Sequence, residues 1–164
     1  MQESTSQEGI RLLFDEFSND IYRYALFTLH DEAEAKDVVQ EVFFRAFKQW
    51  ENFRGESSYK TWLLSIARNY MYDLMRRRKT REKYLDHVPA PSVSTPNDFA
   101  EDMIVLRESL AQLKDSYRQV ILLRHLEDLP VNEVADILGW TEGKVRTTLH
   151  RALKRLRELM EERG

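Results

Sequence analysis

The sequence predicts an all-α chain of two small helical domains joined by a proline-containing linker, and three observations carry that prediction. Only 5 Gly and 4 Pro interrupt its 164 residues, which leaves room for long helices. Three of the prolines, Pro89, Pro91 and Pro96, fall in one stretch, HVPAPSVSTPNDF. Each fixes its own φ and pushes the residue before it toward extended backbone, so no helix crosses there. On both sides of that stretch apolar residues recur every three or four positions, as one buried helical face requires. The expected division is therefore a first domain over residues 1–83, a linker over 84–103 and a second domain over 104–164.

In the first domain, Ile10, Leu13, Phe14, Phe17, Ile21, Tyr24 and Ala25 mark the buried stripe of an opening helix. Asp31 and Glu34 then have the spacing of a capping box, the aspartate accepting from the new helix's amides and the glutamate reaching back. That second helix runs to about Trp50 and buries Val39, Val42, Phe43, Ala46, Phe47 and Trp50. After a break at Arg54-Gly55, Trp62, Leu63, Ile66, Ala67, Tyr70, Met71 and Leu74 repeat at helical spacing into the basic run Arg76-Arg77-Arg78-Lys79.

The second domain starts with a helix from about Ala100 through Leu106, Leu110 and Leu113, then one from Ser116 with Val120, Ile121 and Leu123 inside. Pro130 suits the first turn of a helix, where its missing amide hydrogen costs nothing. The helix that follows ends at Gly139, a natural left-handed cap, and Thr141 is placed to cap the next. Two helices joined by a tight glycine-containing turn make a helix-turn-helix.

Composition narrows the function. An apolar share of 42% with 32% charged residues is that of a globular protein, and the absence of Cys removes disulfides, thiolate metal sites and cysteine nucleophiles. No apolar run approaches the roughly 20 residues of a membrane span, and MQESTSQEG lacks the basic-then-apolar order of a secretory leader. A cytoplasmic protein without membrane insertion is expected. His30, His87, His125 and His150 are scattered, so no metal site is read from them, and no cofactor, small-molecule substrate or catalytic residue is expected.

Charge is distributed unevenly. Residues 1–53 carry 5 Lys/Arg against 11 Asp/Glu, residues 54–83 carry 9 against 3, residues 84–139 carry 4 against 10, and residues 140–164 carry 7 against 4. Two basic segments on an acidic background suit two sites for a polyanion, although such blocks also occur as plain solvated faces.

Three faces carry candidate chemistry. On the last helix Val145, Leu149, Ala152, Leu153 and Leu156 lie to one side, and Lys144, Arg146, Thr147, His150, Arg151, Lys154 and Arg155 to the other. An arginine fork can bond a guanine edge in the major groove while the other groups hold phosphates. On the second helix Asp37, Gln40, Glu41, Phe44 and Lys48 point away from the apolar stripe, and an aromatic among polar groups there suits a protein partner. Asp37 and Glu41 could also be read as paired carboxylates, but no further constellation accompanies them. Over residues 53–83, Tyr59, Trp62, Tyr70 and Tyr72 are interleaved with Arg54, Lys60, Arg68 and the basic run. Aromatics that stack on unpaired bases, with cations that track the backbone, hold single-stranded nucleic acid.

These residues resemble a known family, the extracytoplasmic-function (ECF) sigma factors of bacterial RNA polymerase. AKDVVQEVFFRAF (residues 35–47) resembles the family's core-binding region 2.2, and FRGESSYKTWLLSIARNYMYDLMRRR (residues 53–78) its regions 2.3 and 2.4. LAQLKDSYRQVILLRHLEDLPVNEVADILGWTEGKVRTTLHRALKRLR (residues 110–157) resembles region 4. The resemblance implies that Asp37, Gln40 and Glu41, with Phe44 beside them, dock on the β′ clamp helices of the polymerase core. It implies that the loop of residues 53–60 and Asn69 capture a flipped non-template base of the minus-10 element. Phe53, Arg54, Gly55, Glu56, Tyr59, Lys60 and Asn69, with Trp62, Arg76 and Arg77 of the aromatic and basic segment, are the residues expected at that single strand. Arg146, Thr147, His150 and Arg151 match the positions that read the minus-35 duplex, and Lys144 and Lys154 on the same face are expected to meet that DNA. The second domain would also meet the β flap, the linker would thread toward the RNA exit path, and an anti-sigma factor is an expected partner. Pro130 departs from the pattern, standing where many members have a capping hydroxyl. The alternative is a stand-alone helix-turn-helix transcriptional repressor, which leaves the Asp37 face and residues 53–83 without a role.

Overall fold

The computed structural model describes residues 2–82 and 101–163, and every regular element among them is helical. The chain divides into two compact units. Pro89, Pro91, Pro96 and the rest of residues 84–100 lie outside the described residues, while positions 101–103, expected as linker, form the first turn of a helix.

The first unit packs α1 (Gln2–Leu29), α2 (Glu32–Lys48) and α3 (Tyr59–Glu82) around one core. Chain reversal after α1 uses His30, whose φ of 58° is left-handed and whose amide donates to the Leu26 carbonyl at 2.8 Å. Asp31 then caps α2 as expected, its carboxylate accepting from the Glu34 amide at 2.9 Å. The other half of the capping box is replaced. Glu34 turns its carboxylate to the Arg78 guanidinium on α3, a stronger partner than a neutral cap amide.

Ile21, Tyr24 and Ala25 of α1, Val38, Val42 and Ala46 of α2, and Leu63, Leu64, Ala67 and Met71 of α3 are wholly excluded from solvent. Truncating a large aliphatic among them, such as Leu63, to alanine would cost about 2–5 kcal/mol, the lost transfer energy plus a cavity. The stripe is narrower than the sequence suggests. Phe14 is 44% exposed and makes an edge contact with Phe43, ring centroids 5.0 Å apart. α2 also stops short of Trp50, which starts a 3-10 turn (Trp50–Asn52) and leaves the helical stripe.

The second unit holds α4 (Glu101–Gln112), α5 (Asp115–Ile121), a π-type turn (Leu122–Leu126), α6 (Val131–Leu138) and α7 (Glu142–Arg163). The π turn, which helical periodicity does not announce, is closed by the Glu127 amide donating to the Leu122 carbonyl at 2.9 Å. Pro130 sits at the cap of α6 rather than in its first turn. Its extended ψ of 159° aims its carbonyl at the amides of Glu133 and Val134, both at 3.1 Å, so a residue without an N–H serves the cap through its acceptor. Gly139 closes α6 at φ 70°, and Thr141 Oγ1 accepts from the Lys144 amide at 3.1 Å to start α7, both as expected.

Candidate functional site

The loop between the 3-10 turn and α3 is shaped by local chemistry. Gly55 takes φ 73°, a left-handed value that favours glycine. Ser58 Oγ accepts from the Thr61 amide at 3.1 Å, capping α3. Four rings collect behind the loop. Trp50 and Tyr59 are parallel with centroids 6.0 Å apart, and Phe53 lies 4.8 Å from Tyr59 and 4.7 Å from Trp62. Between the loop and these rings is a pocket of about 180 Å³ lined by Asn52, Phe53, Arg54, Glu56, Ser57 and Trp62. At about 30 Å³ per water it holds about six waters or one planar ring system. Its walls offer aromatic surface, a guanidinium, a carboxylate, an amide and a hydroxyl, the repertoire for stacking on a planar polar ring and reading its edge.

Of the residues expected at this site, Phe53, Arg54, Glu56 and Trp62 line the pocket, Gly55 turns its rim, and Tyr59 belongs to the stack behind it. Lys60 follows half-buried in the first turn of α3. Asn69 and Arg76 are outside the pocket, but with Trp62 they recur every seven residues and share one helix face to within about 20° per step. They lie about 10 and 20 Å along α3 from Trp62 at 1.5 Å per residue. Asn69, Arg76 and Arg77 are exposed, and Arg76 pairs with Asp73. Tyr70 and Tyr72 are half-buried beneath the guanidiniums of Arg45 and Arg68, at 4.9 and 4.1 Å, and so serve as packing surfaces for cations.

On α2, Asp37, Gln40 and Phe44 are exposed and Glu41 is partly so, opposite Val38, Val42 and Ala46. Glu41 pairs with Arg45 at 3.0 Å, and the Lys48 ammonium lies 4.4 Å above the Phe44 ring, which remains 51% exposed.

On α7, Lys144, Arg146, Thr147, His150, Arg151 and Lys154 are all exposed, while Val145, Ala152 and Leu156 are buried. Lys144 lies 4.4 Å over the Trp140 ring, and Arg146 is 3.7 Å from Glu142. That separation is too long for a hydrogen bond, so the fork of Arg146 is not committed to Glu142. The arrangement is a capped helix with its cations outward, as a groove-reading helix needs.

While Ser57 lines the pocket within the expected loop, the sequence did not announce Asn52 as a pocket wall, Trp50 as part of the stack, or Ser58 as the α3 cap. Only the last had a local signal, a serine directly before the helical run. Among the described residues no helix is long and apolar enough to cross a membrane.

Residues 13–81 match the family model for sigma-70 region 2, and residues 103–156 match that for sigma-70 region 4. The ECF RNA polymerase sigma factor SigX of Bacillus subtilis is 34% identical across 94% of this chain and 85% of its own length. SigL of Mycobacterium tuberculosis, also named an ECF RNA polymerase sigma factor, is 34% identical across 94% and 90%. The sigma factor RpoE of Bartonella quintana, solved with the anti-sigma factor NepR, shares the fold at a TM-score of 0.86 and 24% identity, covering 94% of this chain and 98% of its own. With a sigma-70 model on each helical unit and relatives above 30% identity along nearly the whole sequence, the chain belongs to the ECF sigma factors, which direct bacterial RNA polymerase to promoters.

Proposed function

We propose that this sigma factor divides promoter reading between its two units and performs no catalysis. The observation that carries the proposal is the pocket of about 180 Å³ walled by Phe53, Arg54, Glu56 and Trp62. It suits one flipped non-template base of the minus-10 element. Extruding a base costs a few kcal/mol, which stacking of about 1–3 kcal/mol per base and edge hydrogen bonds can offset. Asn69, Arg76 and Arg77 continue along α3 as the track for the strand.

The α7 face from Lys144 to Lys154 takes the minus-35 duplex, Arg146 and Arg151 reading bases and the neighbouring cations holding phosphates. Asp37, Gln40, Glu41 and Phe44 dock on the β′ clamp helices, where the exposed ring gains a dry partner, and the second unit meets the β flap. An anti-sigma factor controls access to these faces, and the protein works in the cytoplasm beside the chromosome. No observation favours a stand-alone repressor.

Transcription of genomic DNA by core polymerase, with and without the protein, tests this reading. Sequenced 5′ ends should cluster at new start sites that share two upstream elements at fixed spacing. Start sites identical to those of core enzyme alone would contradict it.

A further inference from the structure

Gly9 lies well inside α1, where glycine weakens a helix relative to alanine and needs a compensating reason. The structure supplies one. A Cβ on Gly9 would stand 2.3 Å from Cζ2 and 2.5 Å from Cη2 of Trp50, closer than packed carbon atoms come. By contrast, a Cβ at Gly143 in α7 would meet nothing within 4 Å.

The colliding atoms are at the far end of a side chain, and a lone tryptophan could swing aside. Trp50 is not alone. Its indole is stacked parallel to Tyr59 at 6.0 Å and tilted against Trp62 at 6.4 Å, and Phe53 packs on both of those rings. Phe53 and Trp62 are pocket walls. An indole displaced by a methyl group would press on Tyr59 and Trp62 and, through Trp62 and Phe53, shift the pocket surface.

We infer that Gly9 is a positioning residue for the base pocket: the close approach of α1 to Trp50 that only glycine permits sets the ring stack whose front lines the pocket. The inference rests on the reading of that pocket as the minus-10 base site. Gly9 touches no base and acts through Trp50, so α1 belongs to the promoter-reading apparatus as its rear support.

The test uses holoenzyme reconstituted from core RNA polymerase with wild-type chain, Gly9→Ala, Trp50→Phe, Gly9→Ala/Trp50→Phe or Glu56→Ala. Each transcribes a promoter library randomised across the minus-10 element, the product RNA is sequenced, and affinity for core is measured in parallel. Gly9→Ala should reduce discrimination at one minus-10 position by about tenfold, the scale of one base–aromatic stack, with core affinity retained. Trp50→Phe, which withdraws the outer ring from Gly9, should give a smaller loss at the same position, and the double variant should recover most of the loss seen in Gly9→Ala.

Unchanged discrimination in both single variants overturns the inference. So does a uniform loss at every promoter in step with core affinity, which is what a purely structural role predicts. If Gly9→Ala does not assemble, Trp50→Phe decides by the same criterion. Glu56→Ala, in the pocket wall itself, separates the two claims. A loss there without one in the Gly9 and Trp50 variants leaves the pocket standing and removes the positioning role; no loss anywhere removes both.

Discussion

Arg118 Nε donates to the carbonyl oxygen of Leu110 at 2.9 Å, across the turn between α5 and α4. The same guanidinium reaches the carbonyls of Ala111 at 3.1 Å and Leu113 at 2.6 Å, so one side chain serves three acceptors around the end of α4, where Leu110 also takes the Leu113 amide at 3.2 Å. Arg118→Ala should destabilise the second unit by about 2–3 kcal/mol, the scale of hydrogen bonds from a charged donor. Lysine should restore little, because a point ammonium cannot replace the planar fork. Hydrogen exchange of α4 and α5 amides in the full chain checks this, and unaltered protection would contradict it.

The outward face of α2 separates binding from stability. Glu41 contributes a partly exposed i,i+4 pair with Arg45, which is worth about 0.3–0.5 kcal/mol, and Gln40 is exposed. Substituting both with alanine should leave the thermal melt nearly unchanged and weaken binding to core polymerase. Retained core affinity would show that this face is not the docking surface.

The start of α7 is held by a side-chain cap. Thr141 supplies the acceptor for the Lys144 amide, and replacing it with alanine should cost about 1 kcal/mol, measured by denaturant titration. The start of α7 carries Lys144 and Arg146, so affinity for minus-35 duplex by holoenzyme should fall with it.

Arg146 and Arg151 are exposed on the face of α7 opposite Val145 and Ala152. Each change to alanine should cost about 1–3 kcal/mol of discrimination at one minus-35 position. Binding of holoenzyme to single-base promoter variants measures it. A loss equal for all sequences would mark that arginine as a phosphate contact only.

Much of this was legible in the sequence wherever the physics is local. Asp31, Gly139 and Thr141 are caps because cap chemistry acts within a few residues, and the α7 faces follow from helical period alone. What was not legible depends on tertiary contact. Glu34 leaves its expected cap for Arg78, a residue on another helix. Trp50 reads as one more apolar residue of α2, yet α2 ends before it and its ring joins Tyr59 and Trp62. Phe14 falls on the predicted stripe but at its margin, where it touches Phe43 and stays 44% exposed. The pocket residues Asn52 and Ser57 have no periodic signature, because a loop's walls are fixed by how it folds back.

This chain is expected to read promoters only as part of polymerase. Its acidic stretches flank the first basic segment and should repel duplex DNA until a partner covers or redirects them. A gel-shift titration of promoter duplex at fixed salt, with and without core enzyme, measures this directly. Weak, unselective binding by the free protein, with sequence-specific binding and strand opening once core is added, is the predicted result. Nanomolar, sequence-specific duplex binding by the protein alone would contradict it.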